Sequence, residues 1–225
     1  GLAGLRHTTG TGNVFGLNIQ GDGAAGLGIG ILKSTAGKLV GGQIRVEQGG
    51  MDVAFRCEGA VLALDDCHVP QSAGTINSVA YATGAGRVQF VGLNVGNSFV
   101  GSAIRLGGTS TIKVYSPNIF NVTTALRISS DGCTFTSTGG QFGSVTTSVI
   151  VDAGLTGVGT TVQVLSTLLQ PTFQFPPAAA ANTSFIVQFQ QEPTSLRESG
   201  QRIIGADLAL GFPEKGSGLT VGRGD

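Results

Sequence analysis

The sequence predicts an all-β fold, a single-stranded right-handed parallel β-helix with three short strands in each of about seven coils. Three observations indicate this fold. Apolar residues recur with a period of about 24 residues, polar or Gly-bearing breaks separate the apolar segments, and the composition is rich in Gly and poor in charge.

The composition favours short strands and tight turns. The chain has 225 residues, 38 Gly, no Trp and 12% charged residues, whereas globular proteins average roughly 25% charged residues. Ser, Thr, Asn, Gln and Gly therefore cover much of the surface, and several of these types favour turns. The net charge is zero and no run of Lys and Arg occurs, so nucleic acid is excluded as a predicted partner.

Apolar pairs spaced by two residues form the first repeated column. They are Leu27 and Ile29, Val53 and Phe55, Val79 and Tyr81, Ile104 and Leu106, Leu126 and Ile128, and Val149 and Val151. Their first members lie 26, 26, 25, 22 and 23 residues apart. Because alternate side chains of a strand share a face, each pair predicts one strand with two inward side chains.

Two further apolar columns follow in each coil. The second is Val14, Leu39, Val61, Val88, Ile112, Thr134 and Val162, and the third is Ile19, Ile44, Val69, Val95, Ile119, Phe142 and Leu169. Turn residues lie between columns, as in EGA at 58–60 and GGTS at 107–110. This constant order of strand and turn favours a solenoid over a sandwich, and a propeller blade needs about 40 residues.

The repeat stops at Gln170, which divides the chain into a β-helix at 1–169 and a C-terminal β cap at 170–225. Pro residues and the PPAAAAN run follow, and the segments at 183–191 and 202–210 alternate like edge strands rather than rungs. A solenoid needs a cap over its last rung. The segment at 170–225 is therefore interpreted as a cap, a junction or an oligomerisation element.

The chain carries no predicted membrane span and no predicted disulfide scaffold. Its apolar runs fall short of the roughly 20 residues that a span needs. The three cysteines are odd in number and form no C-x-x-C pair. Cys57 and Cys67 could pair across one coil, but the favoured interpretation makes all three, including Cys133, small buried hydrophobic residues.

One cluster resembles catalytic machinery. Asp65 and Asp66 precede His68, and glycoside hydrolases act through paired carboxylates. Adjacent residues of a strand point to opposite faces, so at most one of the two carboxylates is expected beside His68. The favoured interpretation of the cluster is a polar turn, and no catalytic residue is assigned.

The remaining motifs predict no cofactor and no metal. GDGAAG at 21–26 matches a dinucleotide-binding pattern, but the following LGIGILKS aligns with later strands and contains two helix-disfavouring Gly. The acidic residues do not share a column as a metal site would require; they are Asp52, Asp65, Asp131 and Asp152. Asn121 and Asn182 begin N-glycosylation acceptor patterns.

The coil segments resemble β-helix surface proteins of large DNA viruses and, more distantly, phage tail spikes. The resemblance covers roughly residues 14–169 and is carried by stretches such as SAIRLGGTSTIKVYSPNIFNVTTALRISSDGCTFTSTGGQF. It implies a spike, fibre or capsid-associated protein on a virion surface or outside a cell. It also implies a homo-oligomer, with a trimer favoured, that contacts host glycans. The alternative function is a polysaccharide lyase or glycoside hydrolase of β-helical fold.

Overall fold

A computed structural model describes most of the chain. It covers residues 3–20, 28–47, 50–70, 75–96, 100–165 and 182–184, together with the backbone of short strands at 168–169, 173–174, 185–188, 203–204, 207–208 and 219–220. The Gly-rich motif at 21–26 lies outside the described residues.

The described elements are strands. The first eight are β1 Ala3–His7, β2 Gly12–Phe15, β3 Asn18–Gln20, β4 Gly28–Ser34, β5 Lys38–Glu47, β6 Met51–Glu58, β7 Val61–Val69 and β8 Ile76–Thr83. The next nine are β9 Arg87–Val95, β10 Val100–Leu106, β11 Thr111–Tyr115, β12 Asn118–Phe120, β13 Val122–Ile128, β14 Thr134–Thr138, β15 Gln141–Gly143, β16 Thr147–Val151 and β17 Thr161–Leu165. The last six are β18 Leu168–Leu169, β19 Phe173–Gln174, β20 Ser184–Gln188, β21 Ile203–Ile204, β22 Asp207–Leu208 and β23 Leu219–Thr220.

All of these strands except β21 and β22 stack into a parallel β-solenoid of about six turns. The first sheet has the order β1-β4-β6-β8-β10-β13-β16-β19, so each strand pairs with the equivalent strand of the next coil. A 13-stranded second sheet contains the other two strands of each coil. All pairs in both sheets are parallel, which confirms the predicted parallel β-helix; its right-handed sense stays a prediction.

Inward side chains of the first sheet stack at nearly the predicted period. The column that includes Ile104 is Leu5, Ile31, Phe55, Ala80, Ile104, Leu126 and Val149, with spacings of 26, 24, 25, 24, 22 and 23 residues. The predicted pairing was wrong in the early coils, where Val53 aligns with Ser78 instead. Since each strand offers several apolar residues in succession, period alone did not fix the register.

The second sheet also corrects individual column members. Leu62 and Phe135 stack in the second column, one residue after the predicted Val61 and Thr134. Phe135 is buried, whereas Thr134 faces outward and is half-buried. A single-residue shift exchanges the inward and outward faces of a strand, so the buried aromatic decides the register.

A left-handed residue bends each coil between the second and third columns. The bend positions are Gly16, Gln43, Asp66, Gly92, Ser116 and Gly139, with φ between 47° and 69°. In β5, β7 and β9 the two predicted strands run through this bend as one element, whereas later coils divide there, as between β11 and β12. Each coil therefore consists of one strand in the first sheet and two strands in the second sheet, and the second sheet bends between those two strands.

The turn after each first-sheet strand is built on stacked glycines. Gly108 has a φ of 65°, and a Cβ added to it would lie 2.6 Å from the backbone N of Gly84 in the previous coil. This spacing leaves no room for a side chain. The sequence breaks EGA and GGTS therefore mark turns, as predicted.

Rung pairing continues beyond the predicted boundary at 169. β19 pairs in parallel with β16, and β20 pairs in parallel with β17 through Val162 and Phe185. The prediction that 183–191 lies outside the coil was therefore wrong for β20, which is a rung. β21 and β22 form a separate antiparallel pair. Most of 170–225 lies outside the described residues, so its role as a cap stays a prediction.

The interior of the solenoid is a single apolar cluster. Phe55 of the first sheet meets Phe90 of the second with ring centroids 5.4 Å apart at an interplanar angle of 66°, an edge-to-face contact.

Within the described part of the chain, no helix is both long and apolar enough to cross a membrane.

Candidate functional site

The predicted acidic cluster lies on the outside of the bend in β7. Asp66 Oδ1 lies 2.7 Å from His68 Nε2, and these side chains are 54% and 43% exposed. Asp65 is exposed as well, which contradicts the expectation that the two carboxylates point to opposite faces. The reason is the left-handed φ of 47° at Asp66, which interrupts the alternation of the strand.

Neither residue stacked on Asp65 in the two adjacent coils is acidic. Gly42 and Val91 are the register partners of Asp65 on the two adjacent coils. Asp66 therefore contacts His68 at an exposed bend within β7. The contact can orient the imidazole, and its exposure leaves both groups solvated.

His68 belongs to a longer stack of outward polar side chains, here called the polar column. Its members in coil order are Asn18, Arg45, His68, Asn94, Asn118 and Gln141. Gln141 Nε2 donates a hydrogen bond of 2.9 Å to Asn118 Oδ1 on the preceding coil. Arg45 contacts Glu47 in an ion pair. The column thus presents both hydrogen-bond donors and acceptors along the axis.

The first sheet carries a second outward stack, here called the arginine column. It contains Arg6, Arg56, Tyr81, Arg105 and Arg127, with Leu32 between the first two. Sequence analysis found no cluster of basic residues because these arginines lie on different coils. The available signal was positional, since each arginine follows an inward apolar residue of the first column, as in FRC, IRL and LRI.

Lys33 is a buried charged group that sequence analysis missed. It is inward-facing in β4 and fully buried, and its register partner in the next coil is Cys57. Its ammonium donates hydrogen bonds to the carbonyls of Ala36 at 2.7 Å and Thr8 at 3.1 Å, with Ser34 O at 3.4 Å. The signal in the sequence was strand alternation: Lys33 follows Ile29 and Ile31 at intervals of two residues, so it lies on the same inward face.

The three cysteines are free and buried, which confirms their interpretation as small core residues. Burial raises the pKa of Cys57, Cys67 and Cys133, and for Cys67 to about 12. Cys57 lies in the first sheet and Cys67 in the second, so the pairing considered between them is absent. A neutral buried thiol is a poor nucleophile.

Asp131 caps the turn of the following coil. Its carboxylate accepts hydrogen bonds from the hydroxyl of Thr156 at 2.6 Å, and from the backbone N–H groups of Thr156 at 3.1 Å and Gly157 at 2.7 Å. The Thr156 hydroxyl, followed by these backbone donors, lowers the pKa of Asp131. The acidic side chain thus connects two adjacent turns.

The two predicted glycosylation positions differ in their surroundings. Asn121 lies at a left-handed bend with a φ of 55° and is exposed. Asn182 is also exposed, but its side-chain nitrogen donates a hydrogen bond of 3.0 Å to the carbonyl of Thr156. Asn121 is therefore the more accessible acceptor, and glycosylation at both positions stays a prediction.

The sequence predicted neither a dinucleotide site at the Gly-rich motif nor a metal site among the acidic residues. Gly28–Ser34, which follows the Gly-rich motif, is a strand rather than the helix that a dinucleotide-binding motif requires. Where side chains are described, no three or more His, Cys, Asp or Glu residues come together in a group suited to a metal ion.

Set against family models, curated proteins and solved structures, the chain matches none of them. The two outward columns and the bend at Asp66 are the features of the described chain that bear on function.

Proposed function

We propose that this chain is a structural and adhesive module of a surface spike or fibre, on a virion or a cell, that contacts host-surface glycans. The polar column is the observation that carries the proposal. It places four side-chain amides, a guanidinium group and an imidazole on six successive coils of one face.

The packing of the solenoid supports a structural role. Both sheets pair continuously from coil to coil, and the apolar cluster extends from Ile19 to Val164. In a solenoid each repeat contacts mainly its neighbours, so continuous pairing produces a regular stack of coils with lateral faces. Such a body holds surface groups at fixed intervals of about 4.8 Å.

The chemistry of the polar column supports glycan contact. Side-chain amides such as those of Asn118 and Gln141 both donate and accept hydrogen bonds, as sugar hydroxyl groups do. Their mutual hydrogen bond of 2.9 Å fixes their orientation before a ligand arrives. Pre-oriented polar groups lose less conformational entropy on binding, which favours affinity.

Exposed apolar side chains support self-association, for which a trimer is favoured. Phe15 is 66% exposed and Val91 is 42% exposed. Both lie in one outward column with Gly42 and Asp65 between them. Apolar groups aligned on one face are suited to a subunit contact.

The test is binding of the full chain to an array of neutral and acidic glycans. We expect binding that the double substitution Asn118→Ala with Gln141→Ala weakens about tenfold, since two oriented amides are removed. Gln89→Ala, on an exposed position of another face, is the matched control. No binding to any glycan, or equal loss in the control, contradicts the adhesive role.

Self-association is tested separately by light scattering of the purified chain. A trimer that Phe15→Ser with Val91→Ser converts to monomers supports the proposed contact. A monomer at all concentrations argues against the oligomeric part of the proposal and leaves glycan binding to its own test.

The alternative function is polysaccharide cleavage, favoured by the 2.7 Å contact between Asp66 and His68. A carboxylate that orients an imidazole is suited to general base chemistry. If the chain releases reducing ends or unsaturated products from a polysaccharide and Asp66→Ala abolishes this release, the enzymatic assignment replaces the adhesive one.

A further inference from the structure

The arginine column is an outward face on which charge is concentrated and held in place. Arg56 and Arg105 lie on opposite sides of Tyr81, with their guanidinium carbons 5.4 Å and 4.8 Å from the ring centroid. Both distances are within the range of cation–π attraction. The tyrosine therefore separates and orients two positive groups that lie two coils apart.

Hydrogen bonds hold the two arginines of the column that come last in the sequence. Arg105 Nε donates a hydrogen bond of 3.2 Å to Ser129 Oγ. Arg127 Nε donates one of 2.8 Å to Asp152 Oδ1. A guanidinium held through Nε keeps its terminal nitrogens as donors for another group.

The positive charge of the column is only partly neutralised. Arg56 Nε lies 2.7 Å from Glu58 Oε1, and Arg127 is paired with Asp152. The ion pairs found among the described residues do not include Arg6 or Arg105. Two of the four guanidinium groups of this column are therefore in ion pairs.

We infer that the arginine column binds an anionic polysaccharide, one bearing sulfate or uronate groups, that lies along the solenoid axis. This inference goes beyond the proposed function, because it assigns a second ligand-binding face on the first sheet, separate from the polar column of the second sheet. Planar guanidinium groups recognise carboxylate and sulfate oxygens through paired hydrogen bonds. Arg105 and Arg127 are register partners on adjacent coils, so they contact neighbouring positions of an extended ligand.

The column suits a polysaccharide better than a nucleic acid. The chain has a net charge of zero, whereas nucleic-acid binding is typically driven by a broad basic surface. The carboxylates of Glu58 and Asp152 lie on the same face and would repel a continuous phosphate backbone. A polysaccharide with separated anionic groups can place its charges beside the arginines and away from these two carboxylates.

The experiment measures binding of the full chain to heparin, polygalacturonate, neutral dextran and double-stranded DNA. Heparin and polygalacturonate distinguish sulfate from uronate. We expect the double substitution Arg56→Gln with Arg105→Gln to weaken polyanion binding about a hundredfold, roughly tenfold for each guanidinium group removed. Arg105→Lys keeps the charge without the planar fork and should weaken binding less than Arg105→Gln.

Arg87→Gln is the matched control, since Arg87 is exposed on the outward face of the second sheet. Circular dichroism of each variant establishes that the solenoid is retained. Unchanged binding by the control, together with loss in the double variant, supports the inference. Equal loss in both variants, or DNA bound as tightly as the polysaccharides, overturns it.

The outcomes also separate this inference from the proposed function. Binding to neutral glycans without binding to either polyanion overturns the arginine column as a ligand site and leaves the adhesive function standing. Binding to no glycan of any kind contradicts both.

Discussion

The ammonium nitrogen of Lys33 lies 2.7 Å from the carbonyl oxygen of Ala36, inside a solenoid whose other inward positions are mainly apolar. A second hydrogen bond to the carbonyl of Thr8 crosses to the preceding coil. The buried ammonium group therefore connects two coils through backbone carbonyls in their equivalent turns.

Replacing Lys33 with Met should lower the free energy of unfolding by about 3 kcal/mol. The substitution keeps an unbranched side chain but removes charged hydrogen bonds worth roughly 1.5 to 3 kcal/mol each. Urea unfolding followed by circular dichroism measures the change. Lys38→Met, at an exposed position, should change stability by less than about 0.5 kcal/mol. Equal effects at both positions would contradict the assigned role of Lys33.

Gly108→Ala should destabilise the solenoid more than Gly59→Ala. Both glycines have a left-handed φ, near 65°, which costs an L-residue about 1 to 2 kcal/mol. At Gly108 the added Cβ would also lie 2.6 Å from backbone atoms of Gly84, whereas nothing lies within 4 Å at Gly59. Thermal unfolding of the two variants compares the costs, and similar melting temperatures would contradict the close stacking of these turns.

Asp131 should contribute stability that depends on pH. Its pKa is lower in the folded chain than in the unfolded chain, so the contribution is fully present above the unfolded pKa, about 3.9, and is lost as the pH falls through the folded value. The stability difference between the parent chain and Asp131→Asn should therefore be constant near neutral pH and shrink below about pH 4. The carboxylate is largely solvated, so the difference is small.

Thr156→Val tests the cause of this pH dependence. It removes the hydroxyl donor to Asp131 and keeps the two backbone donors. The pKa of Asp131, followed by NMR titration, should rise toward its ordinary value in this variant. An unchanged pKa would assign the shift to the backbone donors alone.

The cysteines should resist thiol reagents until the chain unfolds. Each thiol is buried, and burial raises the pKa of all three, so little thiolate exists in the folded chain at pH 8. Reaction with a chromogenic disulfide should be negligible in buffer and complete in guanidinium chloride. Rapid reaction of any thiol in buffer would indicate local opening of its coil.

The geometry of the acidic cluster could be predicted only in part from the sequence. The sequence identified Asp65, Asp66 and His68 as a group and favoured a turn. It did not predict that both carboxylates face outward, because a left-handed residue at Asp66 breaks the alternation on which the expectation depended. Sterics disfavour that conformation for Asp, so the backbone context of the stacked bend selects it.

The sequence by itself determined the class of fold, because apolar residues and turn residues repeat at an interval that only stacked coils satisfy. The tertiary structure decided the register of each coil, and with it the membership of the arginine and polar columns. Register depends on which inward side chains pack against residues some 24 positions away, as Phe135 does between Ile112 and Val162. Local spacing cannot report those contacts, and a shift of one residue exchanges the core and the surface.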